Sequence, residues 1–378
     1  MRVAVLGAGL VGGPMAIDLA RNGEFEVTVS DISEKNLAKL AAVPGITTLT
    51  ADLSDTNVVK KLATEHDLVL SAVPGFMGFE TLRAVIETGT NVIDIAFFGE
   101  NPFDLDELAR EKGVTAIMDC GVAPGMSNVL IGHVDHLLDK TTNAVIYVGG
   151  LPVIREWPFE YKAVFSPIDV IEEYTRPARY VENGHLVVRE ALSDAELLEF
   201  PGIGTLEAFN SDGLRSLAET IDAPNMKEKT LRYEGHIEKM AVLRAMGLFD
   251  QEPIEVGGAS IRPIDVTAKL MFSMWELKPG EADLTVMQVI VEGERDGKNV
   301  RYVYDLLDRY DPKTETHSMA RTTGYAATMA IRMLAAGLYD RKGVSVPEYI
   351  GQQPECVEFM LKGLAERGVV FTERIEEL

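Results

Sequence analysis

The stretch Met1-Arg2-Val3-Ala4-Val5-Leu6-Gly7-Ala8-Gly9-Leu10-Val11-Gly12-Gly13 decides how the rest of the chain is read. An apolar, β-branched run over 2–6 breaks into the turn Gly7-Ala8-Gly9-Leu10-Val11-Gly12. A helical pattern over 10–22 follows, with Leu10, Met15, Ile17 and Leu19 among its apolar residues. In such a strand–turn–helix Gly7 allows the tight turn, Gly9 lets the backbone approach a pyrophosphate, and Gly12 lets the helix lie against the strand. The helix N-terminus, with Leu10 and Val11 in its approach, then offers amides and a positive dipole to the phosphates. A second strand over 26–30 leads to Asp31, 19 positions after Gly12. A carboxylate there accepts hydrogen bonds from the adenosine ribose and repels a 2′-phosphate. No Arg or Lys follows immediately, so the expected cofactor is NAD rather than NADP. The same fold without a cofactor is the alternative, and the context of the glycines argues against it.

The alternation continues. Strands over 46–50, 68–72, 91–95 and 115–118 are interleaved with helices over 33–42, capped by Ser33, and over 56–64, 80–88 and 105–111. Six βα units predict an α/β fold with a doubly wound parallel Rossmann sheet. In such sheets ligands sit at the carboxyl ends of the strands. That places Asp52 and Leu53, after the third strand, near adenine, and Ala72, Val73 and Pro74, after the fourth, near the nicotinamide ribose. Asp52 reads equally well as a turn residue. The rhythm changes after Gly125. A helix near 128–138 precedes strand-like runs over 143–148, 159–164, 229–233, 285–292 and 300–306. This is the pattern of an α+β second domain on a mixed sheet. Helices over 324–338 and 354–367 and a strand over 369–374 close the chain. The expected division is 1–125 for the NAD-binding Rossmann domain, completed by 320–378, and 126–319 for the second domain.

The 378 residues are 46% hydrophobic and 25% charged, ordinary for a globular protein of two domains. A net charge of −23 repels phosphate backbones and anionic membranes, so neither nucleic acid nor membrane is expected as a partner. No apolar run of roughly 18 residues suggests a membrane span. The N-terminus enters a glycine turn without a secretory pattern, and a cytoplasmic location is expected. Cys120 and Cys356 form neither a disulfide framework nor a zinc site, and the six histidines, His133 and His136 included, lack ligand spacing. No metal is expected.

At Met118-Asp119-Cys120-Gly121-Val122-Ala123-Pro124-Gly125-Met126-Ser127-Asn128 the chain resembles the saccharopine dehydrogenase family, and within it the L-lysine 6-dehydrogenases. The likeness extends through SAVPGFMGFETLRA (71–84), YVGGLP (147–152), EEYTRPAR (172–179), FNSDGLRSLAET (209–220), TLRYEGHIEKM (230–240) and RTTGYAA (321–327). It implies a Rossmann domain, an α+β substrate domain, and homodimers or higher homo-oligomers assembled through the latter. Saccharopine reductases typically carry a lysine in the helix after the fourth strand. Here 76–85 contains none, which favours a lysine dehydrogenase.

The implied reaction is oxidative deamination of a small amino-acid substrate, the ε-amine of L-lysine. Hydride leaves C6 for NAD, and water releases ammonia and the 6-semialdehyde, which cyclises. Such chemistry needs a proton acceptor and a clamp for the α-carboxylate. Asp119, ending the sixth strand, is the first candidate acceptor, or else a cap for the helix that follows. Asp94 ends the fifth strand and is the second. His236 reads as a proton relay or a buried, satisfied histidine. Arg176, Arg179, Arg215 and Arg232 are candidate clamps or ion-pair partners. Tyr174 and Thr323 are further substrate candidates. Cys120 reads as packing, and Gly324 as a site of close backbone approach or tight helix packing. The alternatives are a saccharopine or carboxynorspermidine-type dehydrogenase and a non-catalytic NAD-binding protein.

Overall fold

The computed structural model describes residues 1–163, 167–278 and 280–378. The chain forms two compact units, Met1–Leu137 with Ala320–Val370, and Leu138–Met319 with Phe371–Leu378.

The first unit contains β1 (Arg2–Leu6), β2 (Glu26–Asp31), β3 (Ile46–Thr50), β4 (Leu68–Ser71), β5 (Asn91–Asp94) and β6 (Thr115–Ile117). A further strand, Gly343–Ser345, joins β6, and the seven run in the order Gly343–Ser345, β6, β5, β4, β1, β2, β3. Every pairing is parallel. The chain starts at β1, winds out through β2 and β3, then resumes at β4 on the opposite side. The carboxyl ends of β1 and β4 therefore flank the switch point, where such sheets open a ligand crevice. Ser30, Leu6, Ser71 and Asp94 stand in one lateral row across four strands. Val3–Leu6 and Leu68–Leu70 are wholly buried, because helices cover both faces of a parallel sheet. The first helix, Gly12–Ala20, starts later than its apolar pattern suggests. It turns Met15, Ala16 and Leu19 inward and leaves Ile17 exposed (41%), while Leu10, in the turn before it, is 55% exposed.

Two boundaries differ from expectation. Helix Met126–Leu137 belongs to the first unit. A Cβ on its Gly132 would overlap the Glu348 backbone, and one on Gly351 would overlap that of Val129. Helix Pro347–Gly351 thus meets it backbone to backbone. Strand Phe371–Glu377, expected in the first domain, pairs with Lys298–Arg309 in the second unit. What binds 320–370 to the first unit is Asp18, buried on the first helix. Its carboxylate accepts from Arg332 Nη1 (2.8 Å), Arg367 Nε (2.7 Å) and Thr328 Oγ1 (2.6 Å).

The second unit is built on a nine-stranded mixed sheet whose main path runs Glu196–Phe200, Gly204–Asn210, Met226–Tyr233, Lys140–Pro152, Asp283–Arg295, Lys298–Arg309, Phe371–Glu377. Met226–Tyr233 and Lys140–Pro152 pair parallel, and the other pairs are antiparallel. The strand expected over 159–164 does not form over 159–163, and Val164 lies outside the described residues. Ala163 makes only an isolated bridge to Glu276. Phe159 and Tyr161 instead stand edge-on to buried Trp275, filling a core with Tyr174 and Phe209. Among the described residues no helix is long and apolar enough to cross a membrane.

Candidate functional site

The glycine turn is shaped by contacts that exclude a side chain. Gly7 has φ +106°, and a Cβ there would lie 2.7 Å from the Ala72 carbonyl oxygen. A Cβ on Gly12 would overlap the Gly7 carbonyl, whereas one on Gly9 would meet nothing within 4 Å. The backbone is thus closed beneath the turn and open above Gly9. The amides of Gly13 and Met15 bond to the Gly9 and Val11 carbonyls. Those of Leu10, Val11 and Gly12 have no acceptor among the described residues, as the first turn of a helix requires. Asp31 ties the end of β2 to the turn: Oδ2 accepts the Ala8 amide (2.6 Å) and Oδ1 the Ser33 amide (2.7 Å). The Ser30 and Ser71 hydroxyls, at the carboxyl ends of β2 and β4, are buried without a partner among the described residues. This donor and acceptor set fits a dinucleotide, with free amides for a pyrophosphate and a carboxylate for ribose hydroxyls.

Other expected cofactor residues take different roles. Asp52 is exposed, and its Oδ1 accepts the amide (3.0 Å) and hydroxyl (2.6 Å) of Ser54, which holds its pKa down. It is the turn residue. Leu53 points into the core with Val59 and Leu62. Ala72 continues the ladder to the Leu6 carbonyl (2.8 Å), Val73 is buried, and Pro74 precedes helix Gly75–Glu87.

Two carboxyls lie at the carboxyl ends of the next strands. Asp94 is fully buried and accepts the Ala96 amide (3.0 Å). Asp119 is buried just past β6, with φ +52°. A non-glycine residue held there costs of order 1 kcal/mol and marks an over-determined position. The Cys120 amide donates to the Asp94 carbonyl (3.0 Å), linking the two. Burial, reinforced by Asp119 and Asp94, pushes the Cys120 thiol up to about 12, so it is no nucleophile. The turn between Asp119 and helix Met126–Leu137 closes through Met126 N to Gly121 O (2.9 Å). A Cβ on Gly121 would stand 3.2 Å from the Thr323 methyl, which places Thr323 against this turn. Gly324 serves packing: its Cβ would come within 2.8 Å of Met15 Cγ.

The second unit encloses a polar chain that redirects three expected residues. Arg232 donates through Nη2 to Glu173 (2.6 Å) and through Nε to the Tyr174 hydroxyl (3.2 Å), and its guanidinium lies 4.4 Å from the Tyr161 ring centroid. His236 Nδ1 lies 2.7 Å from the Phe159 carbonyl and Nε2 lies 2.9 Å from the Tyr174 hydroxyl. A carbonyl only accepts, so Nδ1 carries the hydrogen and Nε2 accepts from Tyr174. Burial, with Arg232 nearby, lowers the His236 pKa to about 3. His236 is therefore a neutral, buried histidine with both ring nitrogens satisfied. Tyr174 and Arg232 are buried in the same polar chain.

The other arginines differ. Arg176 pairs with Glu172 one helical turn back. Arg179 holds Asp212 through Nε (2.9 Å) and Nη2 (2.9 Å), with its side chain 43% exposed. Arg215 is buried, with φ +52°. The sequence reading missed Asp212, Glu173 and Glu228. Glu228 is buried in strand Met226–Tyr233 and accepts the Ser211 hydroxyl (2.6 Å). Its signal was Lys227-Glu228-Lys229, three consecutive charges at the start of the strand-like run 229–233.

Residues 3–117 match the saccharopine dehydrogenase NADP binding domain, and residues 121–369 match the saccharopine dehydrogenase C-terminal domain. The chain belongs to the saccharopine dehydrogenase family. Its first unit carries that family's pyridine-nucleotide-binding domain. The mitochondrial alpha-aminoadipic semialdehyde synthase of Rattus norvegicus is 26% identical over 66% of this chain, which spans 29% of that protein. The chain thus covers under a third of that relative. The carboxynorspermidine synthase of Vibrio alginolyticus is 25% identical over 94% of this chain and 93% of its own. The structure of apo saccharopine dehydrogenase (L-Glu forming) from Saccharomyces cerevisiae superposes with a TM-score of 0.81 at 20% identity, covering 99% of both chains. That likeness establishes the shared fold.

Proposed function

We propose that the protein catalyses NAD-dependent oxidative deamination of the ε-amine of L-lysine, giving the 6-semialdehyde and ammonia. The observation that carries this reading is the pair of buried carboxyls, Asp94 and Asp119, at the ligand-binding edge of the dinucleotide sheet. A lysine ammonium with a pKa near 10.4 must lose a proton before hydride can leave C6, at a cost of about 4–5 kcal/mol at pH 7. Asp119 is assigned to accept that proton, with Asp94 as the second candidate. Bound NAD supplies the hydride acceptor. The amides of Leu10, Val11 and Gly12 are assigned to its pyrophosphate and Asp31 to its ribose. A carboxylate at position 31 supports NAD over NADP. Arg179 is the arginine assigned to the α-carboxylate: although paired with Asp212, its side chain is 43% exposed, against 23% for Arg176 and 3% for Arg232. A homodimer and a cytoplasmic setting complete the proposal.

The test is NADH formation by the purified chain with L-lysine between about pH 6 and 10. NAD should support turnover far better than NADP. Asp119→Asn should lower kcat by about 100-fold or more. Absence of NADH at every pH would refute the reading. A second reading, a carboxynorspermidine- or saccharopine-type dehydrogenase, is supported by the near full-length match to the Vibrio alginolyticus synthase. It would show itself as NADPH oxidation with an amine plus a carbonyl partner. The absence of lysine from helix Gly75–Glu87 and the presence of Asp31 weigh against it.

A further inference from the structure

The turn 211–216 lies over strand Met226–Tyr233 and is anchored on one carboxyl. Ser211 Oγ donates to Glu228 Oε2 (2.6 Å) and lies 2.7 Å from Thr230 Oγ1, two residues further along the same strand. The Gly213 amide donates to the same carboxyl. A Cβ on Gly213 would overlap the Glu228 carboxyl, so the turn lies directly against that carboxyl. Asp212 is held between the two anchored residues. Its carboxylate receives the Arg179 amide (3.2 Å) as well as Nε and Nη2 (2.9 Å each). Contacts therefore run without a gap from Glu228 through Ser211 and Gly213 to Asp212 and Arg179.

We propose that Glu228 is a positioning residue, the latch that holds turn 211–216 and so fixes Asp212 and the Arg179 guanidinium. The groups facing it are Ser211, Asp212 and Gly213 from the turn, Thr230 from its own strand, and Glu173 from helix Pro167–Thr175. Burial, with Glu173 and Asp212 adding negative potential, pushes its pKa up to about 8. The latch therefore holds its proton at neutral pH and gains a charge in mild alkali. That charge adds to those of Asp212 and Glu173 and weakens the field of Arg179 toward an anionic ligand. The consequence for substrate rests on the assignment of Arg179 to the lysine α-carboxylate. Affinity for that carboxylate then falls as pH rises through about 8.

The experiment uses the full chain, wild type, Glu228→Gln and Glu228→Ala. Amide exchange in 209–217 is followed at pH 7 and pH 9 and corrected for the intrinsic rate. In parallel, inhibition of L-lysine turnover by L-norleucine, which has the α-carboxylate but no ε-amine, is measured at both pH values. Glu228→Ala should raise exchange in the turn about tenfold or more, and should raise KM for L-lysine rather than lower kcat. In the wild type the norleucine inhibition constant should rise several-fold from pH 7 to pH 9. Glu228→Gln, which preserves shape and hydrogen bonding, should keep the protection and lose that pH dependence. Unchanged exchange in Glu228→Ala, or wild-type pH dependence in Glu228→Gln, overturns the latch. Altered exchange in a protein that neither oxidises lysine nor binds norleucine leaves the latch standing and removes the lysine reading.

Discussion

His236 accepts from the Tyr174 hydroxyl at Nε2 and donates from Nδ1 to the Phe159 carbonyl. Its folded pKa, about 3, lies below the ordinary 6.5 because burial penalises the imidazolium and the Arg232 charge repels it. Between these values the unfolded chain binds the extra proton. Stability from this group is thus complete above pH 6.5 and falls as pH drops toward 3, by up to about 1.4 kcal/mol per unit. In His236→Gln, the stability difference between pH 7 and pH 5, measured by urea unfolding, should shrink by up to about 2 kcal/mol. Loss of kcat by about 100-fold with that pH difference intact would restore His236 as a proton relay. The same scale shows why the arginines were not told apart in advance. Arg176, Arg179, Arg215 and Arg232 look alike in a string of letters. Only folding supplies Glu173 to Arg232 and Asp212 to Arg179, from 59 and 33 residues away.

At the scale of elements, helices Met126–Leu137 and Pro347–Gly351 meet through Gly132 and Gly351, each lying on the other's backbone. Gly132→Ala forces a methyl into the Glu348 backbone, which has no flexible side chain to yield. Overpacking of this kind costs about 1–3 kcal/mol. Urea unfolding should show that loss, and a stability within about 0.5 kcal/mol of wild type would refute the close approach. Periodicity made the longer elements legible: strands Arg2–Leu6 and Ile46–Thr50 and helix Thr56–Thr64 stand where the pattern puts them. It gave no warning of strand Gly343–Ser345, whose three residues are too few for a period. It misread 159–163, because aromatic residues suit a strand and a helix-lined core equally.

At the scale of the molecule, Asp18 fastens residues 320–370 to the first unit through Arg332, Arg367 and Thr328. Asp18→Asn removes the charge that faces Arg367 and leaves Arg332 with Glu24 alone, at an expected cost of about 3 kcal/mol. Chemical unfolding measures it, and a loss below about 1 kcal/mol would show that apolar packing alone docks the C-terminal segment. The sequence by itself determined the dinucleotide turn, the winding of β1 through β6, and Asp31 at the end of β2. These follow from local pattern, because strand period, glycine turns and residue order are properties of neighbours along the chain. Tertiary structure alone decided that residues 126–137 join the first unit and 371–378 the second. It also decided that His236 is core, and that Glu228 lies under the turn carrying Asp212. Those outcomes depend on burial and on partners far apart in sequence, and no local pattern encodes them.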